Sequence, residues 1–134
     1  MYAAIGGILE VVTGKKWETL VEEEIFRPLH MDRSFCLMDE ASSRDNCAMP
    51  FRWDRGLHEI PRWNIDQAGP CDSVMSTAED MVKWLSFHIH GGKVGDEYLL
   101  CPADFLEMHT PQILMDYPHV KGGRSLGYGF GWRI

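Results

Sequence analysis

The chain has 134 residues, which suits one domain, and 45% of them are hydrophobic, so a core can form. The net charge is −7 and the 13 lysines and arginines are scattered, which argues against nucleic acid as a partner. No segment approaches the roughly 18 continuous apolar residues of a membrane span. The composition therefore favours a globular protein without a membrane span.

The N-terminus and the cysteines bear on compartment and cofactors. The apolar stretch after Met1 is not preceded by basic residues, so no signal peptide is predicted. Cys36, Cys47, Cys71 and Cys101 form no Cys-x-x-Cys pair, which disfavours zinc and redox chemistry, and no cofactor is expected. Free thiols in a reducing compartment are the simpler interpretation and favour the cytoplasm, while one or two disulfides stay open.

Two helices are predicted at the start of the chain. Apolar residues recur at helical spacing over residues 2–12, and Gly14 is expected to cap that helix in the left-handed conformation. Gly6 and Gly7 lower helix propensity, so we expect them to allow close packing against a neighbour. A second helix over residues 17–26 would complete a helical hairpin.

Residues 31–69 lose the helical period and predict irregular chain. Within them, residues 48–53 and 57–63 are expected to pair as short strands across Asp54-Arg55-Gly56.

The clearest helix start lies at Ser76-Thr77-Ala78-Glu79, where Ser76 and Glu79 have the spacing of a capping box. Gly91-Gly92 is expected to end this helix. Its predicted apolar face consists of Met81, Trp84, Leu85, His88 and Ile89.

Two elements are predicted towards the C-terminus. Pro102 begins a helix that is expected to reach about His109. Residues 126–132 alternate aromatics with glycine, which predicts a strand whose bare glycine face is closely approached. A carbohydrate or peptide platform is the alternative. Such a strand would reach the last residue with no partner following it, which would be one sign of truncation.

The search for catalytic or metal-binding motifs finds none. No serine lies in Gly-x-Ser-x-Gly or has lysine three positions later, and neither Tyr-x-Asn nor Lys-Thr-Gly occurs. His88 and His90 are two apart on a predicted helix and cannot chelate as a pair. We expect His88 to be a partly buried core residue, and His30, His58 and His119 to lie in solvated loops.

Several stretches follow one another in an order typical of one family. Residues 2–15 look like the helix after its Tyr-x-Asn motif, and residues 17–31 are similar to its E-x-I-F-x-P-L-G-M segment, with His30 replacing the usual glycine. Residues 69–84 resemble its S-T-A-E-D-M helix start, and residues 91–93, 99–100, 108–112 and 127–132 also fit. The chain thus resembles the serine β-lactamase and penicillin-binding-protein-like hydrolases, including the class C β-lactamases and related esterases.

The resemblance implies an interior piece of that family's domain, a single partial domain over residues 1–134. The fold class it implies is α+β and mostly helical, a helical subdomain with short strands and irregular loops. The family's Ser-x-x-Lys motif would belong upstream of Met1, Tyr-x-Asn would end just before Tyr2, and Lys-Thr-Gly or His-x-Gly would lie beyond Ile134. His90-Gly91-Gly92 matches the last only superficially. No catalytic residue is carried over.

The resemblance does place one segment at a substrate pocket. In the family, the loop before the S-T-A-E-D helix borders the pocket, which here is the loop of residues 69–75. Cys71, Asp72 and Ser73 are therefore the candidate substrate-binding residues, with Asp72 placing a carboxylate near the entrance. The alternative is that Ser73 and Ser76 only cap and turn the backbone.

Two functions from different classes follow. The first is a pocket wall of a serine hydrolase, inactive alone, whose partners would be the missing halves of the enzyme. The second is a non-catalytic domain that binds a partner or self-associates, since a missing sheet would leave apolar surface exposed. A metalloenzyme is disfavoured by the ligand spacing.

Overall fold

The computed structural model describes residues 1–114 and 127–134 and divides into two compact units, Met1–Lys83 and Trp84–Ile134. The elements of the first unit are α1 (Tyr2–Thr13), α2 (Trp17–Val21), a π-helical turn (Glu22–Phe26), α3 (Met38–Ser42), β1 (Phe51–Trp53), β2 (Leu57–Glu59), a 3-10 turn (Asp66–Ala68), α4 (Gly69–Asp72) and the start of α5 (Ala78–Ile89). The second unit holds the rest of α5, then β3 (Lys93–Val94), β4 (Glu97–Tyr98) and α6 (Pro102–Met108).

The first helix confirms its predicted bounds and caps. Gly14 ends α1 with φ of 71° and donates its N–H to the Glu10 carbonyl. Gly6 is buried against α4, where a Cβ would overlap the Pro70 ring, whereas Gly7 has open space beside it. Close packing is therefore confirmed for Gly6 alone. The side chains of Ile8, Val11 and Val12 on this helix are exposed.

The second predicted helix changes its winding halfway. After α2 the Arg27 N–H reaches the Glu22 carbonyl five residues back at 2.9 Å, which is the π-helical spacing. Pro28 has no N–H to continue the ladder, and His30 then takes a positive φ of 54°. The following chain supplies most of the apolar core of this unit: Phe26, Leu29, Met31, Phe35, Cys36 and Ala41.

The predicted strand pair is confirmed but shorter than expected. Strands β1 and β2 are antiparallel, with Arg52 opposite His58. Arg55 takes a positive φ of 55° in the turn between them. The side chains of Phe51, Trp53 and Leu57 are exposed, so the pair adds little to the core.

The start of α5 corrects the predicted capping box by one residue. Thr77 Oγ1, not Ser76, accepts a backbone hydrogen bond at the helix start, from the Asp80 N–H at 3.2 Å. Ser76 Oγ instead lies 2.7 Å from Ser34 Oγ, and Glu79 pairs with the exposed guanidinium of Arg33 at 2.6 Å. A contact with a distant segment has overridden the local spacing rule.

The predicted apolar face of α5 is also partly wrong. Met81, Leu85 and Ile89 are 40%, 50% and 81% exposed, and the buried apolar residue of α5 is Phe87 at 6%. Within the second unit, the Phe105 ring of α6 lies edge-on to Phe87, with centroids 6.4 Å apart. Packing against the Phe105 ring therefore determines which side of α5 is buried. Gly91 and Gly92 end α5 with positive φ, as predicted.

The described residues 127–132 form isolated bridges and not the predicted strand. Close approach is confirmed for Gly127 and Gly129, whereas Gly131 has open space beside it. Tyr128 forms single bridges to Ile113 and to Arg133, because the chain reverses at Gly131, whose φ is 85°. Tyr128 thus pairs with a residue that follows it in the chain, Arg133. A Cβ on Gly129 would overlap the Met108 carbonyl oxygen.

The prediction for α6 is confirmed, and Cys101 caps it by accepting the Asp104 N–H at 3.4 Å. All four cysteines are unpaired, Cys71 and Cys101 being exposed. Burial, reinforced by nearby carboxylates, raises the pKa of the buried Cys36 thiol to about 12. Among the described helices, none is both long and apolar enough to cross a membrane. His119, for which a solvated loop was predicted, lies outside the described residues.

Candidate functional site

The first unit contains an open cavity of about 600 Å³. This volume is within the range of roughly 300–1,000 Å³ that is usual for small-molecule pockets. Its walls come from α3, from the chain that leads into β1 and out of β2, and from Met75, Ser76 and Thr77 just before α5. Reciprocal backbone hydrogen bonds between Phe35 and Met75, at 2.8 and 2.9 Å, hold two of these walls together.

The candidate residues lie immediately before this wall in the chain. The predicted loop of residues 69–75 is in part the short helix α4, at whose end Cys71 and Asp72 are exposed. Ser73 is 3% exposed, and its Oγ has no hydrogen-bond partner among the described residues. None of these three lines the cavity. Their place at a substrate pocket therefore stays a prediction.

A polar network lies beneath the Ser76 wall. Ser76 Oγ contacts Ser34 Oγ, which donates to Asp80 at 2.9 Å. Asp80 is 1% exposed and also accepts from the Arg33 N–H at 2.9 Å and from Lys83 Nζ at 2.8 Å. Lys83 Nζ donates further to the His30 carbonyl. The network ties the start of α5 to residues 30–34.

This network stabilises the negative charge of the Asp80 carboxylate, which makes Asp80 a poor proton acceptor. Burial alone would raise the pKa of the Asp80 carboxyl, but the hydrogen bonds from Lys83, Ser34 and Arg33 outweigh it and lower that pKa. A carboxylate of lowered pKa is a poor general base, so it does not activate the Ser76 hydroxyl. The arrangement therefore supplies shape and rigidity to the cavity wall.

The histidines lie elsewhere. His30 is exposed in a turn and His88 is half-buried among aromatic rings of the second unit, as predicted. His58 is exposed as predicted, but it lies in strand β2 and not in a loop. Burial, followed by the charge of His109, lowers the pKa of His88 to about 4. In the described parts of the chain, no three His, Cys, Asp or Glu side chains come together as metal ligands.

The cavity includes residues that sequence reasoning missed. Arg44, Arg62 and Trp63 line it although they lie in irregular chain. Arg62 donates to the carbonyls of Cys47 and Ala48 at 3.0 and 3.3 Å, which fixes its guanidinium. Neither periodicity nor a motif marks these residues, so no sequence signal pointed to them.

Comparison with known proteins gives a consistent result. The family model described as Beta-lactamase matches residues 1–134. Penicillin-binding protein 4 of Amycolatopsis lactamdurans is 29% identical over 99% of this chain and 35% of its own length.

Solved structures agree on the fold. The octameric penicillin-binding protein homologue from Pyrococcus abyssi has a TM-score of 0.76 and 27% identity, over 97% of this chain and 28% of that one. D-amino acid amidase from Ochrobactrum anthropi SV3, complexed with D-phenylalanine, has a TM-score of 0.72 and 20% identity, over 97% of this chain and 38% of that one. The chain spans about a third of the length of these relatives.

These matches also confirm the predicted fold class, an α+β and mostly helical subdomain with short strands. The cavity and the S-T-A-E-D helix start both lie within residues 1–134, the range that the family model matches. The chain belongs to the Beta-lactamase family of serine hydrolases and penicillin-binding-protein-like proteins.

Proposed function

We propose that this chain forms one wall of the substrate pocket of an acyl-transferring serine hydrolase and does not itself carry the nucleophile. In that reaction a serine attacks a β-lactam, ester or peptide carbonyl, and water later releases the acyl group. The serine, its base and the third catalytic motif would come from other parts of the enzyme. Family membership supports the reaction class, and the lack of all three motifs in the 134 residues supports the missing nucleophile.

The observation that carries the proposal is the cavity beside Met75–Thr77. These residues directly follow Cys71, Asp72 and Ser73, the segment that the family resemblance assigns to the pocket border. The exposed thiol of Cys71 and carboxylate of Asp72 are free to meet a substrate.

The test is the intact mass of the folded chain after incubation with penicillin G and, separately, with a fluorophosphonate. Circular dichroism first establishes that the sample is folded, and a serine hydrolase of known activity controls the reagents. We expect no adduct, because no serine of the sequence has lysine three positions later or lies in Gly-x-Ser-x-Gly. A stoichiometric adduct on any serine would overturn the proposal.

A second candidate function is self-association through α1. The side chains of Ile8, Val11 and Val12 are 61%, 85% and 77% exposed, which is unusual for three apolar residues on one helix. The similar Pyrococcus abyssi protein is described as octameric. A domain with such a helix gains free energy by covering it with another copy.

Light scattering after size exclusion tests this second function. We expect the chain to form oligomers and Val11→Lys to shift it towards the monomer, whereas Leu106→Lys, at a residue 69% exposed on α6, leaves the mass unchanged. A strictly monomeric chain that binds no hydrophobic dye would rule out association through α1.

A further inference from the structure

The cavity of the first unit has an apolar interior that none of the family motifs explains. Met38, Met49 and Met75 line it together with Phe35 and Trp63. Methionine side chains are flexible and polarisable, so they adapt to irregular apolar ligands. Phe35 is 7% exposed and forms a fixed wall, while Trp63 is 86% exposed at the rim. A flat apolar group fits such a lining.

Three arginines from separate segments line the same cavity: Arg33, Arg44 and Arg62. They occur in a chain whose net charge is −7, so their convergence runs against the overall charge. Asp45 is the acidic residue of the described lining. The lining itself therefore carries a positive balance.

Arg62 is the guanidinium best prepared to receive an anion. Its Nη2 donates to the Cys47 and Ala48 carbonyls, and Nη1 lies 3.5 Å from the Ala41 carbonyl. Among the described residues it has no carboxylate within ion-pair distance, and its buried Nε has no acceptor. The group is held rigidly by neutral oxygens and keeps its full charge, so an anion need not displace a counter-charge.

Arg44 links the charged and apolar parts of the cavity. Its Cζ lies 4.4 Å from the centroid of the Phe35 ring. It also pairs with Glu40 at 3.3 Å, and Arg33 pairs with Glu79 at 2.6 Å. Both pairs involve exposed side chains, which contribute little and exchange readily. The carboxylates of Glu40 and Glu79 nevertheless oppose a second negative charge on a ligand.

From this arrangement we propose that the cavity binds a small monoanionic carboxylate that carries an aromatic or branched apolar group. The apolar group lies among Met38, Met49 and Met75, and the carboxylate is held by Arg62 and Arg44. This inference does not rest on the proposed function, because binding here requires no nucleophile. The binding test of this cavity and the search for an acyl adduct can therefore give independent results.

Methyl NMR of the full chain labelled at its methionine methyl groups tests the inference, with 4-phenylbutyrate as the probe. We expect saturable shifts of the Met38, Met49 and Met75 methyls. Met1, which is 91% exposed, and Met81, which is 40% exposed, do not line the cavity and are internal controls. The neutral 4-phenylbutanamide and the short butyrate should each bind about tenfold more weakly, since each lacks one half of the recognition.

Two variants make the result specific. Arg44→Gln should weaken binding of 4-phenylbutyrate about tenfold and leave the amide unaffected, since it removes one charge-assisted hydrogen bond. Arg27→Gln is the matched control, because Arg27 makes a similar exposed pair with Glu22 at 3.2 Å but does not line this cavity. Unchanged methyl spectra of the unliganded variants show that they are folded.

Three outcomes overturn the inference: no shift at the three lining methyls, equal affinity for the acid and the amide, or equal weakening by both arginine variants. Should Arg44→Gln not fold, Trp63→Ala takes its place, since the side chain it removes is largely exposed. It should weaken 4-phenylbutyrate and the amide by the same factor and leave butyrate unchanged. Unchanged binding of 4-phenylbutyrate to Trp63→Ala contradicts the inference.

Discussion

The two units of the chain are stabilised by opposite chemistry. In Met1–Lys83 a carboxylate, Asp80, is as little exposed as any described core residue, at 1%, and its hydrogen bonds come from Arg33, Ser34 and Lys83. In Trp84–Ile134 the central polar group is His88, and neither of its ring nitrogens has a partner among the described residues.

The surroundings of His88 explain this contrast. Five rings lie with their centroids 4.4–5.7 Å from the His88 ring: Trp84, Phe87, Phe105, His109 and Trp132. Aromatic edges and faces stabilise a neutral imidazole but offer no hydrogen-bond acceptor to a charged one. The buried polar side chain of Asp80 therefore stabilises the first unit, whereas that of His88 destabilises the second.

The largest expected change in stability is that caused by replacing Asp80. Asp80→Ala should destabilise the first unit by about 3 kcal/mol, because it removes the acceptor of the Arg33 N–H and one acceptor of the Ser34 hydroxyl, and it leaves Lys83 without its counter-charge. Hydrogen exchange of peptides from each unit, with urea unfolding, measures the loss. Glu79→Ala, which removes an exposed pair with Arg33, is the control and should cost under about 1 kcal/mol. Equal losses for the two variants would remove Asp80 from the centre of this unit.

Replacement of His88 should have the opposite sign. His88→Leu should stabilise the second unit by about 1–2 kcal/mol at neutral pH, because two unpaired buried nitrogens are exchanged for an apolar group. His90→Leu is the control, because its Nδ1 already lies 2.7 Å from the Ser86 carbonyl and its side chain is exposed. If His88→Leu destabilises the unit, a partner for the imidazole has been missed.

The two units should also differ in their response to acid. The pKa of His88 in the folded chain is about 4, below its ordinary value of 6.5, so its contribution to stability is complete above pH 6.5 and falls as the pH drops towards 4. The pKa of Asp80 is lowered from 3.8, so its contribution persists to pH values below that. The protection factors of amides in the second unit, which correct the exchange rates for the intrinsic effect of pH, should therefore fall first, and His88→Leu should abolish that fall. A fall that survives His88→Leu would have to arise from other groups.

Two neighbouring glycines of α1 provide a smaller test of packing in the first unit. Gly6→Ala should cost about 1–3 kcal/mol, because its Cβ would overlap the Pro70 ring. Gly7→Ala should gain up to about 1 kcal/mol, since the site is open and alanine favours the helix. Thermal unfolding of both variants measures the difference, and equal shifts would mean that α1 and α4 are not in close contact.

The smallest effect concerns the start of α5. Thr77→Ala should cost about 1 kcal/mol, since it removes the oxygen that accepts the Asp80 N–H. Thr77→Ser keeps that oxygen and should cost much less. If the two variants are equally stable, the cap contributes nothing.

Local signals in the sequence were sufficient where one segment determines its own structure. The capping glycine of α1, the start of α6 at Pro102 and the short strand pair were all predicted. They failed where a distant residue competes, as when Ser34 engages Ser76 and leaves Thr77 to cap α5. The reversal at Gly131 was missed for a different reason. Alternation of aromatic residues and glycine fits both a strand and a tight turn.

For the candidate site, the family resemblance located the segment before α5 but not the cavity. Arg62 reaches it from irregular chain because the carbonyls of Cys47 and Ala48 hold its guanidinium, and such carbonyls have no signature in sequence. The place of this segment in the family's motif order could be predicted from the sequence alone. The convergence of three arginines on one cavity could not.

The buried thiol of Cys36 has a consequence for measuring how the first unit opens. With a pKa of about 12 and almost no exposed surface, this sulfur cannot react with a maleimide until the chain around it opens. Cys71 and Cys101 are exposed and should react within the first moments. The labelling of the Cys36 peptide, measured by mass apart from the peptides of Cys71, Cys101 and the half-buried Cys47, thus gives the opening frequency of the unit from the native sequence, without an introduced probe.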